Sequence, residues 1–151
     1  MFLTAASFIR LPRKPINFYP IYEFDSDKKD FSVAAKAVEI LEADIAKGFP
    51  HLLLVRASTQ NRARELYEFI YEPNFSKHNP VLIISGNSAS DNKEALQKVN
   101  DGNAKIIICV DMFSEGIDIP QLKICAIHEM ISTTLNARQT LMIAFIRCMI
   151  R

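Results

Sequence analysis

Long apolar runs, a metal-binding cysteine pattern and an overall basic field are all missing from this chain. The apolar stretch at 141–150 is roughly half of the ~20 residues needed to span a bilayer. The start, 1–8, has no basic n-region and only a short apolar segment, so it does not read as a secretory leader. A soluble, cytoplasmic protein with no membrane partner is the expectation. Cysteine is scarce: Cys109, Cys125 and Cys148 are odd in number, widely spaced and set mostly in apolar runs. No CxxC or Cys/His spacing offers a zinc site, so reduced core thiols and no metal are expected. His51, His78 and His128 are isolated, and read as satisfied edge or surface residues rather than ligands or bases. Lys and Arg number 18 against 17 Asp and Glu, a formal net charge of +1. That balance argues against tight, autonomous binding to DNA or RNA, though not against a local groove.

What is present fits one globular domain. The chain has 151 residues, 49% hydrophobic and 23% charged, enough to bury a core and too apolar to stay disordered. Residues 18–24 alternate loosely and suggest an edge strand after the basic, Pro-containing stretch 10–15. Val33, Ala37, Ile40, Leu41 and Ile45 recur at helical spacing over 32–47, with Asp30 or Ser32 to cap the start and Gly48 with Pro50 to stop it. A short strand at 52–55 leads to Ser58 and Thr59, which can cap a helix over 60–71 whose inner face is Ala63, Leu66, Tyr67 and Ile70. A strand at 81–84, a helix at 91–100 stopped by Gly102, and strands at 105–110 and 122–127 follow. A last helix is expected from Thr133 or Thr134 to the end. Strands alternating with helices specify an α/β fold, a doubly wound parallel sheet with right-handed crossovers. No internal repeat or low-complexity tract interrupts it.

The most informative stretch runs from Ile106 to Pro120, Ile-Ile-Ile-Cys-Val-Asp-Met-Phe-Ser-Glu-Gly-Ile-Asp-Ile-Pro. A β-branched run stopping at an Asp is a buried parallel strand that ends at the functional edge of a sheet, where ligands of open α/β sheets sit. The plain alternative is an ordinary strand-to-loop exit with Gly116 as a turn. The stretch resembles motif V of the superfamily 2 helicases, the DEAD/DEAH-type nucleic-acid-dependent ATPases built from two RecA-like lobes. Leu52-Leu53-Leu54-Val55-Arg56-Ala57-Ser58 followed by Arg62-Ala63 looks like motif IV, and Gln121 to His128 is similar to the branch related to restriction and phage-defence helicases. Leu3-Thr4-Ala5-Ala6-Ser7-Phe8-Ile9-Arg10 looks like a worn motif III. The resemblance implies a RecA-like three-layer sandwich, with 1–25 as remnant of motif III and interlobe linker and 26–151 as the C-terminal lobe.

Two parts of such a motor are absent. No G-x-x-x-x-G-K-[ST] occurs, and no Asp-Glu pair follows an apolar strand. Those elements hold the ATP phosphates and Mg²⁺ and belong to the first lobe. ATP and Mg²⁺ are therefore expected only in a complete two-lobe enzyme, and no ATPase from this chain alone; it reads as a truncated or degenerate member. Motif VI also departs: aligning on Gln139 puts Ile143 and Ile146 at the arginine positions. Arg147 and Arg151 remain weak arginine-finger candidates, or they merely dress a helix end.

The resemblance assigns Gly116 and Asp118 to the nucleotide, the carboxylate accepting ribose hydroxyls. It assigns Arg56, Ser58 and Ser114 to the nucleic-acid backbone. Each has a plainer alternative: Asp118 capping the turn before Pro120, Ser58 capping a helix, Arg56 pairing with a carboxylate. The implied partners are a first RecA-like lobe and, weakly, DNA or RNA. The apolar final helix suggests self-association. Two other functions compete. One is a non-catalytic protein- or nucleic-acid-binding module derived from a helicase lobe. The other is an unrelated nucleotide-binding α/β protein, for which Ser58-Thr59-Gln60-Asn61 lacks the glycine that a phosphate loop needs.

Overall fold

A computed structural model describes residues 16–21, 25–110, 119–128, 130–132 and 140–148. In chain order the elements are β1 (Ile16–Ile21), α1 (Ser26–Ala46), β2 (Leu52–Arg56), α2 (Gln60–Glu65), a π-turn (Leu66–Tyr71), α3 (Glu72–Phe75) and a 3₁₀ turn (Ser76–His78). There follow β3 (Val81–Ile83), α4 (Ala89–Asn100), β4 (Ile106–Cys109), β5 (Leu122–Ile127), β6 (Met130–Ser132) and β7 (Thr140–Cys148). The strands form one sheet in the order β1-β7-β5-β2-β4-β3, with β6 also paired to β7.

Four strands, β5-β2-β4-β3, are parallel. Their sequences are mainly apolar, with Arg56 closing β2 and Lys123 within β5, as suits strands with apolar packing on both faces. Leu53 and Val55 of β2, Ile106 and Ile108 of β4 and Ile124 and Ala126 of β5 pack with α1 and the 60–75 region. The alternate residues Leu52, Leu54, Ile107 and Cys109 pack on the other side with Val99 and Ala95 of α4. Helices thus lie on both faces of the parallel strands, the three-layer arrangement that the alternating pattern implies. Leu53, Ile106, Ile107 and Ile108 are wholly buried, each contributing about 1.5–3 kcal/mol through removal of apolar surface from water.

The helix boundaries follow local chemistry. Gly48 has φ 86° and Gly102 φ 78°, so each ends its helix in the left-handed region that glycine adopts at little steric expense. Ser88 caps α4 by accepting from Asp91 N–H at 3.0 Å. Thr59, rather than Ser58, caps α2, its hydroxyl accepting from Arg62 N–H at 3.1 Å. α1 begins at Ser26, six residues before the expected start, so Asp30 is a helical residue and not a cap.

The expected final helix is corrected: Thr140–Cys148 is a strand, β7, antiparallel to β1 on one side and to β5 on the other. Apolar residues all around a helix need cover on all sides, whereas an interior strand covered on both faces accommodates the same residues. The self-association expected from an apolar C-terminal helix loses its premise with that helix. Arg147 stands within β7, in register with Asn17 and Ile124, instead of at a helix end. Residues 3–10, Gln139 and Arg151 lie outside the described residues.

Candidate nucleic-acid interface

The carboxyl ends of β2, β3, β4 and β5 share one edge of the sheet. β2 delivers Arg56, exposed where Leu52–Val55 are buried, and then Ala57, whose N–H donates to the Cys109 carbonyl at 2.9 Å. This bond fixes the exit of β2 against β4, leaving Ser58 and Thr59 exposed before α2. β3 ends in Ile84-Ser85-Gly86-Asn87. Asn87 Nδ2 donates to the Leu82 carbonyl at 3.0 Å and Asn92 Nδ2 to the Ile84 carbonyl at 2.8 Å, holding the turn to α4. Gln60 Nε2 donates to Ser85 Oγ at 2.6 Å, joining the start of α2 to that turn. A Cβ added at Gly86 would lie 2.4 Å from Gln60 Oε1 and 3.0 Å from Arg64 Nη2. Gly86 therefore makes room for both side chains. Among the described residues Arg64 has no acidic partner, so its charge is available at this edge.

Below the exposed rim lies a chain of four polar side chains. Arg62 Nη2 donates to both oxygens of Asp30, at 2.5 and 2.6 Å. Asp30 Oδ1 also meets His128 Nδ1 at 2.9 Å, and His128 Nε2 meets the Tyr71 hydroxyl at 2.8 Å. His128 is 3% exposed and Tyr71 not at all. Burial penalises the Asp30 carboxylate, but the hydrogen bonds from His128 and Arg62, helped by their charges, outweigh it and hold its pKa below the ordinary 3.8. For His128 burial is the larger influence and lowers its pKa from 6.5, against the opposing pull of Asp30. Burial, aided by the Asp30 charge, raises Tyr71 well above 10. The protons follow: a carboxylate only accepts, so Nδ1 carries the imidazole proton, and the neutral ring accepts the Tyr71 O–H at Nε2. His128 and His78, expected as satisfied edge or surface residues, are each hydrogen-bonded; His128 lies inside the fold, and His78 is 9% exposed and 2.9 Å from Glu42. His51 pairs with Asp44 at 2.8 Å.

The π-turn is what brings Tyr71 inward. Glu72 N–H bonds to the carbonyl of Tyr67, five residues back, so the inner face steps from Leu66 to Tyr71. An uninterrupted 3.6-residue period points to Ile70, and it missed Tyr71 for this reason. Asp30 was hidden by its reading as a cap. Gln60 and Arg64, four apart on one helix beside the glycine of a strand exit, were a signal that strand-by-strand reading passed over.

Of the anticipated site residues, Arg56 and Ser58 come together at this edge. Gly116, Asp118 and Ser114 lie outside the described residues. Arg62, grouped with motif IV by resemblance, is committed to Asp30. Cys125 is pushed up to about 12 by burial, an unreactive thiol. Among the described residues no cluster of His, Cys, Asp or Glu could hold a metal ion, and no helix is long and apolar enough to cross a membrane.

A parallel four-strand sheet with helices on both faces is an α/β fold of the RecA-like kind. The family is shown by sequence: residues 34–142, well over half of the chain, match the helicase conserved C-terminal domain. The chain belongs to that family, and is a C-terminal helicase lobe. No curated protein matches it. Among solved structures it is similar to the C-terminal domain of a Saccharomyces cerevisiae Dbp5 variant bound to a Gle1 variant and IP6, at 15% identity and a TM-score of 0.43. The match covers 67% of this chain and 55% of that one, so this chain spans about half the length of the protein it resembles.

Proposed function

We propose that this chain is the second RecA-like lobe of a superfamily 2 nucleic-acid-dependent ATPase, helicase or translocase, inactive in ATP hydrolysis by itself. The observation that supports this best is the edge where Arg56, Ser58, Gln60, Arg64 and Ser85 surround the exits of β2 and β3. Two guanidinium groups beside hydroxyl and amide groups suit the phosphodiester backbone, a planar fork against phosphate oxygens. The segment carrying Ser114, Gly116 and Asp118 would add a backbone contact and, with the first lobe in place, ribose contacts. ATP and Mg²⁺ would be bound across the two lobes. The Gln121 to His128 sequence favours the restriction and phage-defence-related branch.

Binding of a fluorescent single-stranded oligonucleotide, followed by anisotropy, tests this reading. Weak, sequence-independent binding is expected, reduced severalfold by Arg64→Gln and by Arg56→Gln. Nanomolar affinity at about physiological salt, or binding indifferent to both substitutions, would overturn it.

A further inference from the structure

The buried chain Arg62–Asp30–His128–Tyr71 does more than fill space, because each member is anchored to a different part of the edge. Asp30 comes from the second turn of α1, Arg62 from α2, Tyr71 from the π-turn, and His128 directly follows β5. His128 also donates its backbone N–H to the Arg56 carbonyl at 3.5 Å, and Arg62 donates its own to the Thr59 hydroxyl. The loop Ala57-Ser58-Thr59 is therefore held at both ends by residues of this chain.

Its protons are fully allotted. One lies between Nδ1 and Asp30, one between the Tyr71 oxygen and Nε2. A further proton can enter only at Nε2, where it meets the Tyr71 O–H. The hydroxyl must then turn its proton away, and among the described residues it has no second hydrogen-bond partner. The new imidazolium also shares with the Arg62 guanidinium a single carboxylate. Among the described residues the charged or titratable groups facing His128 are Asp30, Arg62 and Tyr71, with Cys125 of the preceding strand acting on Tyr71.

We propose that these four side chains form an acid-releasable tie, in which one proton added to His128 loosens the hold of α1, the π-turn and β5 on the loop Ala57-Ser58-Thr59. The device operates whatever the edge binds. Its range lies below the 6.5 of an ordinary histidine, since the neutral ring is the form the fold selects.

The test is an NMR titration of the ¹⁵N-labelled chain from about pH 8 to about pH 5, following ring and backbone signals. In the wild type the amides of Arg56, Ser58, Thr59 and Arg62 should shift with the midpoint of the His128 ring. The ring signals of His51 and His78, paired with Asp44 and Glu42, are recorded alongside so that the loop midpoint is matched to one ring. His128→Gln should abolish the transition at the loop. Tyr71→Phe keeps the aromatic ring while removing the O–H that stabilises the neutral imidazole, so it should move the midpoint up and carry the loop transition with it. This variant keeps the test decisive if His128→Gln does not fold. Loop amides that stay silent while His128 titrates overturn the proposal, as does a loop transition unmoved by Tyr71→Phe.

Discussion

Replacing Asp30 by alanine tests the polar chain where it is most concentrated, because one carboxylate serves both Arg62 and His128. Its side chain is 16% exposed and that of Arg62 29%, while that of His128 is wholly buried. Removing one partner of a fully buried ion pair typically costs about 3–5 kcal/mol, most of it from the uncompensated charge left behind. Water reaching Arg62 lets the guanidinium recover some hydration, which brings the expected loss for Asp30→Ala to about 2–4 kcal/mol. Asp30→Asn keeps an acceptor and the volume but not the charge, and should lose roughly 1.5–3 kcal/mol. Urea unfolding at neutral pH gives these values, and a cycle with Arg62→Ala isolates the pair, with coupling of about 1–3 kcal/mol expected for residues sharing one network. A loss below about 1 kcal/mol for Asp30→Ala, with the two substitutions additive within about 0.3 kcal/mol, would refute the reasoning.

The same chain fixes a direction for pH dependence. Below 6.5 the unfolded His128 binds a proton that the folded one refuses, so stability is fully present above 6.5 and falls as the pH drops through the folded-state value; Asp30 adds a second loss below 3.8. Urea midpoints measured across that range should flatten near pH 6 in His128→Gln. Thr59→Ala removes the cap of α2 and should lower stability by about 1 kcal/mol in the same assay. Gly86→Ala meets only the flexible ends of Gln60 and Arg64, so stability should stay within about 0.5 kcal/mol of wild type. Oligonucleotide anisotropy should nonetheless weaken in that variant, because Arg64 is displaced.

The parallel strands were legible because Leu52–Arg56, Val81–Ile83, Ile106–Cys109 and Leu122–Ile127 are all short, mainly apolar runs, with Arg56 and Lys123 as the charged members. The tail was not, since apolar residues on every side suit an interior strand as well as a fully covered helix. Only pairing with the distant β1 decides between them. The four-residue polar chain was illegible for a related reason. Asp30, Arg62, Tyr71 and His128 are separated by up to 98 positions, and each alone has a familiar local role. Arg56 and Ser58 were singled out by resemblance to motif IV, and they lie at the carboxyl end of β2. The pairing of Arg62 with Asp30 is a tertiary fact that no local pattern carries.

That withdrawal of Arg62 has a measurable consequence for how this lobe would hold nucleic acid. Each cationic side chain that neutralises a phosphate of a single strand adds about 0.7 to the slope of log affinity against log salt. Arg56 and Arg64 together give a slope of about −1.4, so affinity should fall about sevenfold between 50 and 200 mM salt. Engaging Arg62 as well would make the slope about −2.1 and the fall about eighteenfold. The titration therefore reads whether Asp30 keeps its arginine when phosphate is present. A slope near −1.4 that Arg62→Gln leaves unchanged, and Arg64→Gln halves, agrees with the ion pair. A slope near −2 that drops with Arg62→Gln would mean that phosphate wins the competition, and that Arg62 is a backbone contact after all.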